Sequence, residues 1–263
     1  MLQIDEQKIQ LLPVIRAWKQ RHPGMSARLL YELIKPDWIG RDGFERFCMQ
    51  SGFRVKKCVA RFKTTQSATR NPFPNLLEDR WLTGINQVWV SDITYVQLTR
   101  QLVYLTLLMD LWSRFIVGYH LSTSLRTGDT TLPALRMALK TRSPAPGLIF
   151  HSDGGGQYYS HELLELTLRA GIVNSMGRGV YENAQAERIN ETIKNQYLAY
   201  YELGTLQEIK ELTKKVIYLY NYERPHASLN KTTPAHYETL KSLPCKKIWH
   251  ETYSKKHHVL ILK

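Results

Sequence analysis

Three carboxylates in this sequence stand where composition alone does not put them. Asp92 interrupts Val88-Trp89-Val90-Ser91-Asp92-Ile93-Thr94-Tyr95-Val96, a β-branched and aromatic run without Gly or Pro that reads as a strand. A carboxylate buried there costs several kcal/mol unless it is paired or binds a metal. Asp153 follows the short apolar run Leu148-Ile149-Phe150 and precedes Gly154-Gly155-Gly156, where backbone can pass close to a ligand. Glu187 falls near the start of an expected helix. Brought together, three such groups suit two Mg²⁺ or Mn²⁺ ions, because hard cations take oxygen ligands. Two ions about 4 Å apart stabilise both the attacking and the leaving oxygen of an in-line phosphoryl displacement. Linear order does not make the three converge; strand order must place them side by side. Each also has an ordinary reading: a satisfied polar group at a sheet edge, an Asx turn, a solvated helix charge. Asp110, at a strand end before Leu111-Trp112-Ser113, reads as a structural turn residue.

Glu187, Asn190, Glu191 and Lys194 share one helix face by their spacing. If Glu187 holds metal, Lys194 points to the same cleft two turns on and can bind phosphate; otherwise it makes an exposed pair with Glu191. Lys and Arg number 36 against 23 Asp and Glu, a net charge of +13, which predicts a polyanionic partner, nucleic acid or an anionic membrane. Arg54, Lys56, Lys57, Arg61, Lys63 and Arg70 follow one another with no acid among them and read as a phosphate-contacting arm. No run of 18 apolar residues is present and no secretory signal is read at the N-terminus, so no membrane role is expected. Cys48, Cys58 and Cys245 have neither zinc spacing nor an even count, and read as reduced thiols.

The elements that must position these groups follow from periodicity and breakers. Apolar spacing predicts helices over residues 8–20, 27–34 (N-cap Ser26) and 44–50, a small module of helix-turn-helix type over 1–52. Residues 53–79 form a basic linker that ends at Asn71-Pro72-Phe73-Pro74. Strands are predicted over 88–96, 102–109 and 115–120, joined by short connections as an antiparallel meander. A helix to about Lys140, a strand at 148–150, a helix over 160–170 and a short strand at 171–173 follow. Glycine and Asn breaks make 174–183 a mobile loop. Helices over 184–200 and 206–222, a short one started by Thr233-Pro234, and an edge strand at 257–262 complete the chain. The order β-β-β-α-β-α-β-α gives an α/β class, a mixed sheet with helices on its faces.

At this point the residues resemble a known family. Gln87 to Tyr95, His151-Ser152-Asp153-Gly154-Gly155-Gly156-Gln157-Tyr158 and Glu182-Asn183-Ala184-Gln185-Ala186-Glu187-Arg188 are similar to the signature of DDE transposases. More narrowly, the chain resembles the OrfB-type catalytic subunit of the bacterial insertion-sequence family nearest to retroviral integrases. Ser26-Ala27-Arg28 with Ile39-Gly40-Arg41 resembles its helical module, and Thr64-Thr65 with Pro74-Asn75-Leu76-Leu77 its linker. Tyr220-Asn221-Tyr222, Arg224-Pro225-His226, Leu229 and Thr233-Pro234 resemble its C-terminal hallmark. One departure is that 33 residues separate Asp153 from Glu187, where about 35 typify the family; the difference falls in the expected loop. Gly154 stands where many relatives carry Gln.

The resemblance implies an RNase H-like mixed five-stranded sheet flanked by helices over 80–240, preceded by the all-helical module and followed by a basic tail, 241–263. It implies a metal-binding, catalytic triad of Asp92, Asp153 and Glu187, with Lys194 matching a basic residue of the family. Arg188, Lys194, Arg54, Lys56, Lys57, Arg61 and Lys63 are expected to contact DNA. The implied chemistry is Mg²⁺- or Mn²⁺-dependent cleavage at element ends and transfer of the 3′-hydroxyl into target DNA. The implied partners are double-stranded DNA, further copies of the chain and a DNA-binding protein from an upstream frame; the implied location is the bacterial cytoplasm, at the nucleoid. A plain metal-dependent nuclease would share triad and fold without joining, and a non-catalytic DNA-binding regulator would keep only the basic surface.

Overall fold

The computed structural model describes residues 2–56, 72–177, 182–240 and 245–248. Five strands form one mixed sheet: β1 Val88–Gln97, β2 Leu102–Asp110, β3 Ile116–Ser122, β4 Ile149–Ser152 and β5 Val173–Met176, in the order β3-β2-β1-β4-β5. The first three are an antiparallel meander, as their short connections require. β4 then pairs parallel to the free side of β1, and β5 parallel to β4. The chain therefore builds outward on one side of β1 and then on the other, which makes the β1–β4 boundary a topological switch point.

Alternation along β1 divides the core into two layers. Trp89 joins α4 (Thr131–Arg142) and α5 (His161–Arg169) through Leu132, Leu135 and Leu163. Val88 and Val90 face the other way, against α6 (Ala184–Gln196) and α7 (Leu206–Tyr222) through Ala186, Ile189, Ile193 and Val216. Asp92 continues the second face, the one α6 covers. Gly118 of β3 admits α4 closely: a Cβ there would lie 2.4 Å from the Ala134 carbonyl oxygen. This sheet with helices on both faces is the RNase H-like fold.

Ahead of it, α1 Leu2–Arg21, α2 Ala27–Ile34 and α3 Arg41–Gln50 enclose their own core of Ile15, Met25, Leu30, Phe44 and Cys48. This module meets the C-terminal end of α6. The Gly24 amide donates to the Gln196 carbonyl at 2.8 Å, and His22 Nδ1 lies 2.8 Å from the Tyr197 hydroxyl. A Cβ on Gly24 would fall 2.3 Å from Gln196 Cα.

Several boundaries differ from expectation, each for a local reason. α1 starts well before residue 8 and runs through Pro13. α3 starts at Arg41 because Gly40 takes the extended N-cap conformation, with Asp42 in the first turn favouring the helix N-terminus. β5 occupies 173–176 rather than 171–173: Gly171 is in a left-handed turn at φ 65°. Its polar residues find partners, Asn174 donating to Thr167 Oγ1 at 2.9 Å and Ser175 bonding His151 at 2.9 Å. Residues 174–176 of the expected loop are therefore strand, and 178–181 lie outside the described residues. α6 stops at Gln196, where Tyr197 turns inward and is buried, and a short 3₁₀ turn, Leu198–Tyr200, follows. Thr205 caps α7 reciprocally with Glu208, and Thr233-Pro234 starts α8 (Pro234–Thr239) as expected. The strand expected at 257–262 lies outside the described residues, as do Cys58, Lys57, Arg61 and Lys63. Among the described residues, no helix is long and apolar enough to cross a membrane.

Candidate active site

The last β1–β4 pair is Val90 with His151. Two residues beyond Val90 is Asp92, and two beyond His151 is Asp153. Asp92, midway along β1, and Asp153, just past the end of β4, thus stand at one level of parallel neighbours, which lie about 4.8 Å apart. This is the crevice where ligands bind in open α/β sheets. β1 carries its aspartate inside the sheet because β2 supports it on the other edge, Asp92 opposite Leu107.

Asp92 is held at both oxygens. Oδ1 accepts the Ile93 amide at 2.9 Å, and Oδ2 accepts Asn190 Nδ2 of α6 at 2.9 Å. Burial still pushes its pKa up to about 7, the charge of Asp153 adds to the rise, the two hydrogen bonds oppose it, and Glu187 contributes a smaller push upward. Asp153 is raised by burial against the bond its Oδ1 accepts from the Gly155 amide at 3.1 Å. That bond is an Asx-type turn, the ordinary reading of Asp153. A Cβ on Gly155 would lie 3.0 Å from the same oxygen, so glycine leaves this carboxylate room. Glu187 is exposed in the first turn of α6. Asp92 and Asp153 are thus brought together and Glu187 is placed within electrostatic reach of Asp92. Among the described residues, no three His, Cys, Asp or Glu side chains are drawn into a ready metal-binding cluster.

Hard oxygen donors nonetheless suit a cation here. Among the described residues, Asn190 Oδ1 and Asn183 Oδ1 are buried without a hydrogen-bond partner. Each oxygen of Asp92 accepts one bond and keeps a lone pair. Like charges confined in one crevice raise each other's pKa unless a cation offsets them.

Other motif residues fasten the frame. Asn183, just before α6, donates from Nδ2 to the Ser91 carbonyl at 2.9 Å, tying the glutamate's helix to the aspartate's strand. The Ser91 hydroxyl lies 3.0 Å from the buried Tyr158 hydroxyl, linking β1 to the turn after Asp153. His151 is buried; its Nε2 meets the Glu182 carbonyl at 3.2 Å and must donate there, so Nδ1 accepts from the Ser175 hydroxyl at 2.9 Å. Sequence reasoning put Asn190 on the face of Glu187 without giving it a partner, and it read Asn183 as a loop break and part of the family signature, not as a tie to β1. An Asn one residue before a helix is the signal that was available.

The basic residues divide. Lys194 lies with Nζ 4.0 Å from the centre of the Tyr95 ring on the aspartate's strand, and burial lowers its pKa. Lys56 sits over Tyr200 at 5.1 Å and its amide donates to that hydroxyl at 2.9 Å. Arg54 and Arg188 are exposed. Lys246, in the tail, is turned inward: Nζ donates to the Trp112 carbonyl at 2.7 Å and stacks on Tyr237 at 4.0 Å. Asp110 is structural, accepting from the Asn86, Trp112 and Ser113 amides at 2.6, 3.0 and 2.9 Å.

Residues 83–179 match the family model described as "Integrase core domain", and residues 170–234 match a second model with the same description. The chain is 34% identical over 203 residues to the insertion element IS600 uncharacterized 31 kDa protein of Shigella sonnei, covering 75% of this chain and 74% of that one. It is 30% identical over 174 residues to the transposase for insertion sequence element IS904 of Lactococcus lactis, covering 64% and 68%. Among solved structures it is similar to the simian T-cell lymphotropic virus intasome in complex with PP2A regulatory subunit B56 gamma. The TM-score is 0.52 at 17% identity, over 63% of this chain and 60% of that one, a likeness of fold.

Proposed function

This chain belongs to the bacterial insertion-sequence transposases built on an integrase core, which act in DNA transposition and integration, and from that premise we propose that its β1–β4 crevice cuts DNA at element ends and joins the freed 3′-hydroxyl to target DNA. The observation that carries this is the emergence of Asp92 and Asp153 at one level of adjacent parallel strands, with the helix of Glu187 tied across them.

Asp92, Asp153 and Glu187 are the residues that would hold two Mg²⁺ or Mn²⁺ ions, with the unpartnered amide oxygen of Asn190 beside them. When bound, such ions polarise the scissile phosphate and lower the pKa of the attacking water or hydroxyl. The protein's own part is positional. Asp92 must lose a proton held up to about pH 7 before it can serve as a ligand. Asn190 orients that carboxylate, and Asn183 and Tyr158 fix the two elements that flank it. Lys194, half-buried over Tyr95, offers a cation to a neighbouring phosphate. No protein nucleophile is required, since water and then the DNA hydroxyl attack.

Arg54, Lys56 and the arm beyond them are assigned to DNA phosphates, which a net charge of +13 supports. Two DNA ends must meet for transposition, so the working form is an oligomer. An upstream-frame partner, as for an OrfB-type subunit, would supply recognition of the element's ends.

The test is strand transfer of a pre-cut, labelled end into plasmid with Mg²⁺ or Mn²⁺, with Asp153→Asn alongside. Joining by wild type alone supports the reading. Cleavage without joining would replace it with a nuclease, and salt-sensitive binding without chemistry in either protein would replace it with a regulator.

A further inference from the structure

On the flank of α6 next to Glu187 lies a second concavity, of about 580 Å³, between that helix and the turn that carries Arg224 and His226. It uses none of the carboxylates of the active site. Arg188 immediately follows Glu187, and one residue turns an α-helix by about 100°, so the cavity opens beside the crevice rather than into it.

Its chemistry is cationic. Arg114, Arg188 and Arg224 all line it, and among the described residues none of the three is in an ion pair. The hydrogen bonds they make go to neutral oxygens: Arg114 Nη1 to Gln185 Oε1 at 2.7 Å, Arg224 Nη2 to Gln196 Oε1 at 2.8 Å and Nη1 to the Pro225 carbonyl at 3.2 Å. Those amides fix two guanidiniums in place without neutralising them. His226, its ring edge-on to Tyr220 at 4.6 Å, has a buried Nε2 with no hydrogen-bond partner among the described residues. Among the described residues the lining holds one acid, the exposed Glu191. Three like charges gathered with two of them pre-positioned call for an anionic tenant, and guanidinium forks match the oxygens of phosphate.

We infer that this cavity is a second phosphate site, which takes a backbone phosphate of the bound DNA other than the one being cut, gripped by Arg188 and Arg224 with Arg114 behind them. The inference rests on the DNA-acting reading above. It also gives a use to the Arg224-Pro225-His226 segment, whose Pro225 is buried while Arg224 and His226 face the cavity.

The experiment measures DNA affinity of the full chain in EDTA, on duplexes of unrelated sequence, across a salt series. One lost phosphate contact flattens the slope of log K against log salt by about 0.9. Arg188→Gln and Arg224→Gln are each expected to show that change equally on every duplex, with the melting temperature of Arg188→Gln unaltered. Inorganic phosphate is expected to shift the His226 ring signals in wild type and not in Arg224→Gln. Arg188 is exposed and among the described residues its side chain makes no hydrogen bond or ion pair, so Arg188→Gln carries the test if Arg224→Gln does not fold. Wild-type slopes in folded variants would overturn the site. A phosphate response with unchanged DNA slopes would reassign it to a free phosphate compound and overturn the DNA assignment. Loss of strand transfer in wild type with these slope changes intact would defeat the catalytic reading and leave this one standing.

Discussion

Asp92 and Asp153 stand two residues beyond a single paired rung, Val90 with His151, on strands that run in parallel. The rung makes their proximity a property of the backbone register, so side-chain rotation can part their tips but not their anchor points. The electrostatic cost follows directly, and so does the first prediction.

Burial and Asp153 hold Asp92 up to about 7 in the folded protein, against about 3.9 in an unfolded chain. A raised folded-state value means that protonation favours the fold. The stabilising contribution is full below about pH 4 and is lost as pH rises through about 7. Asp92→Asn removes this dependence. In EDTA at pH 8 the variant should be more stable than wild type by up to a few kcal/mol, with the difference vanishing near pH 4. Denaturant melts at the two pH values check it; equal differences at both would refute the assignment.

A cation favours the ionised carboxylates, so Mg²⁺ should raise the melting temperature of wild type at pH 8, where Asp92 is mostly ionised. The rise should shrink at pH 6, where protons compete, and be much reduced in Asp92→Asn. Thermal melts across a Mg²⁺ series read both effects.

Asn183→Ala removes the donor that serves the Ser91 carbonyl. An unsatisfied buried acceptor costs about 1–3 kcal/mol. The loss should appear in the melting temperature, and strand transfer should fall by more than DNA affinity because α6 loses its tie to β1. Parallel losses of affinity and transfer would show that the tie does not position Glu187.

Gly118→Ala should destabilise the core without touching the site. Its Cβ would meet the Ala134 carbonyl oxygen at 2.4 Å, and such overpacking costs about 1–3 kcal/mol. Denaturant midpoints measure it, and an unchanged midpoint would mean that α4 slides freely on β3.

Much of this arrangement was legible in the sequence because it lay in runs. The Asp92 strand announced itself by β-branched residues around one carboxylate, and the meander by its short connections. What was not legible depended on contacts made at long range. β5 extends over Asn174 and Ser175, polar residues that look like loop until Thr167 and His151 supply their partners. α6 ends at Gln196 because Tyr197 finds His22, far away in the chain. Asn190 fell on the right helix face by spacing, but only the packing of α6 on β1 reveals which carboxylate it holds. The Arg224 segment could be noticed as a motif; its cavity exists only because α6 and the turn between β2 and β3 bring Arg188 and Arg114 to the same place.

The contact at Gly24 bears on how such proteins diversify. Backbone there touches backbone, with room for a hydrogen atom and nothing larger between it and Gln196 Cα. A hybrid that borrows its first helices from one relative and its sheet from another can seat the two halves only where the donor carries glycine at this point. Exchange of the leading module between elements is therefore gated by a single codon, whatever the rest of the donated surface looks like.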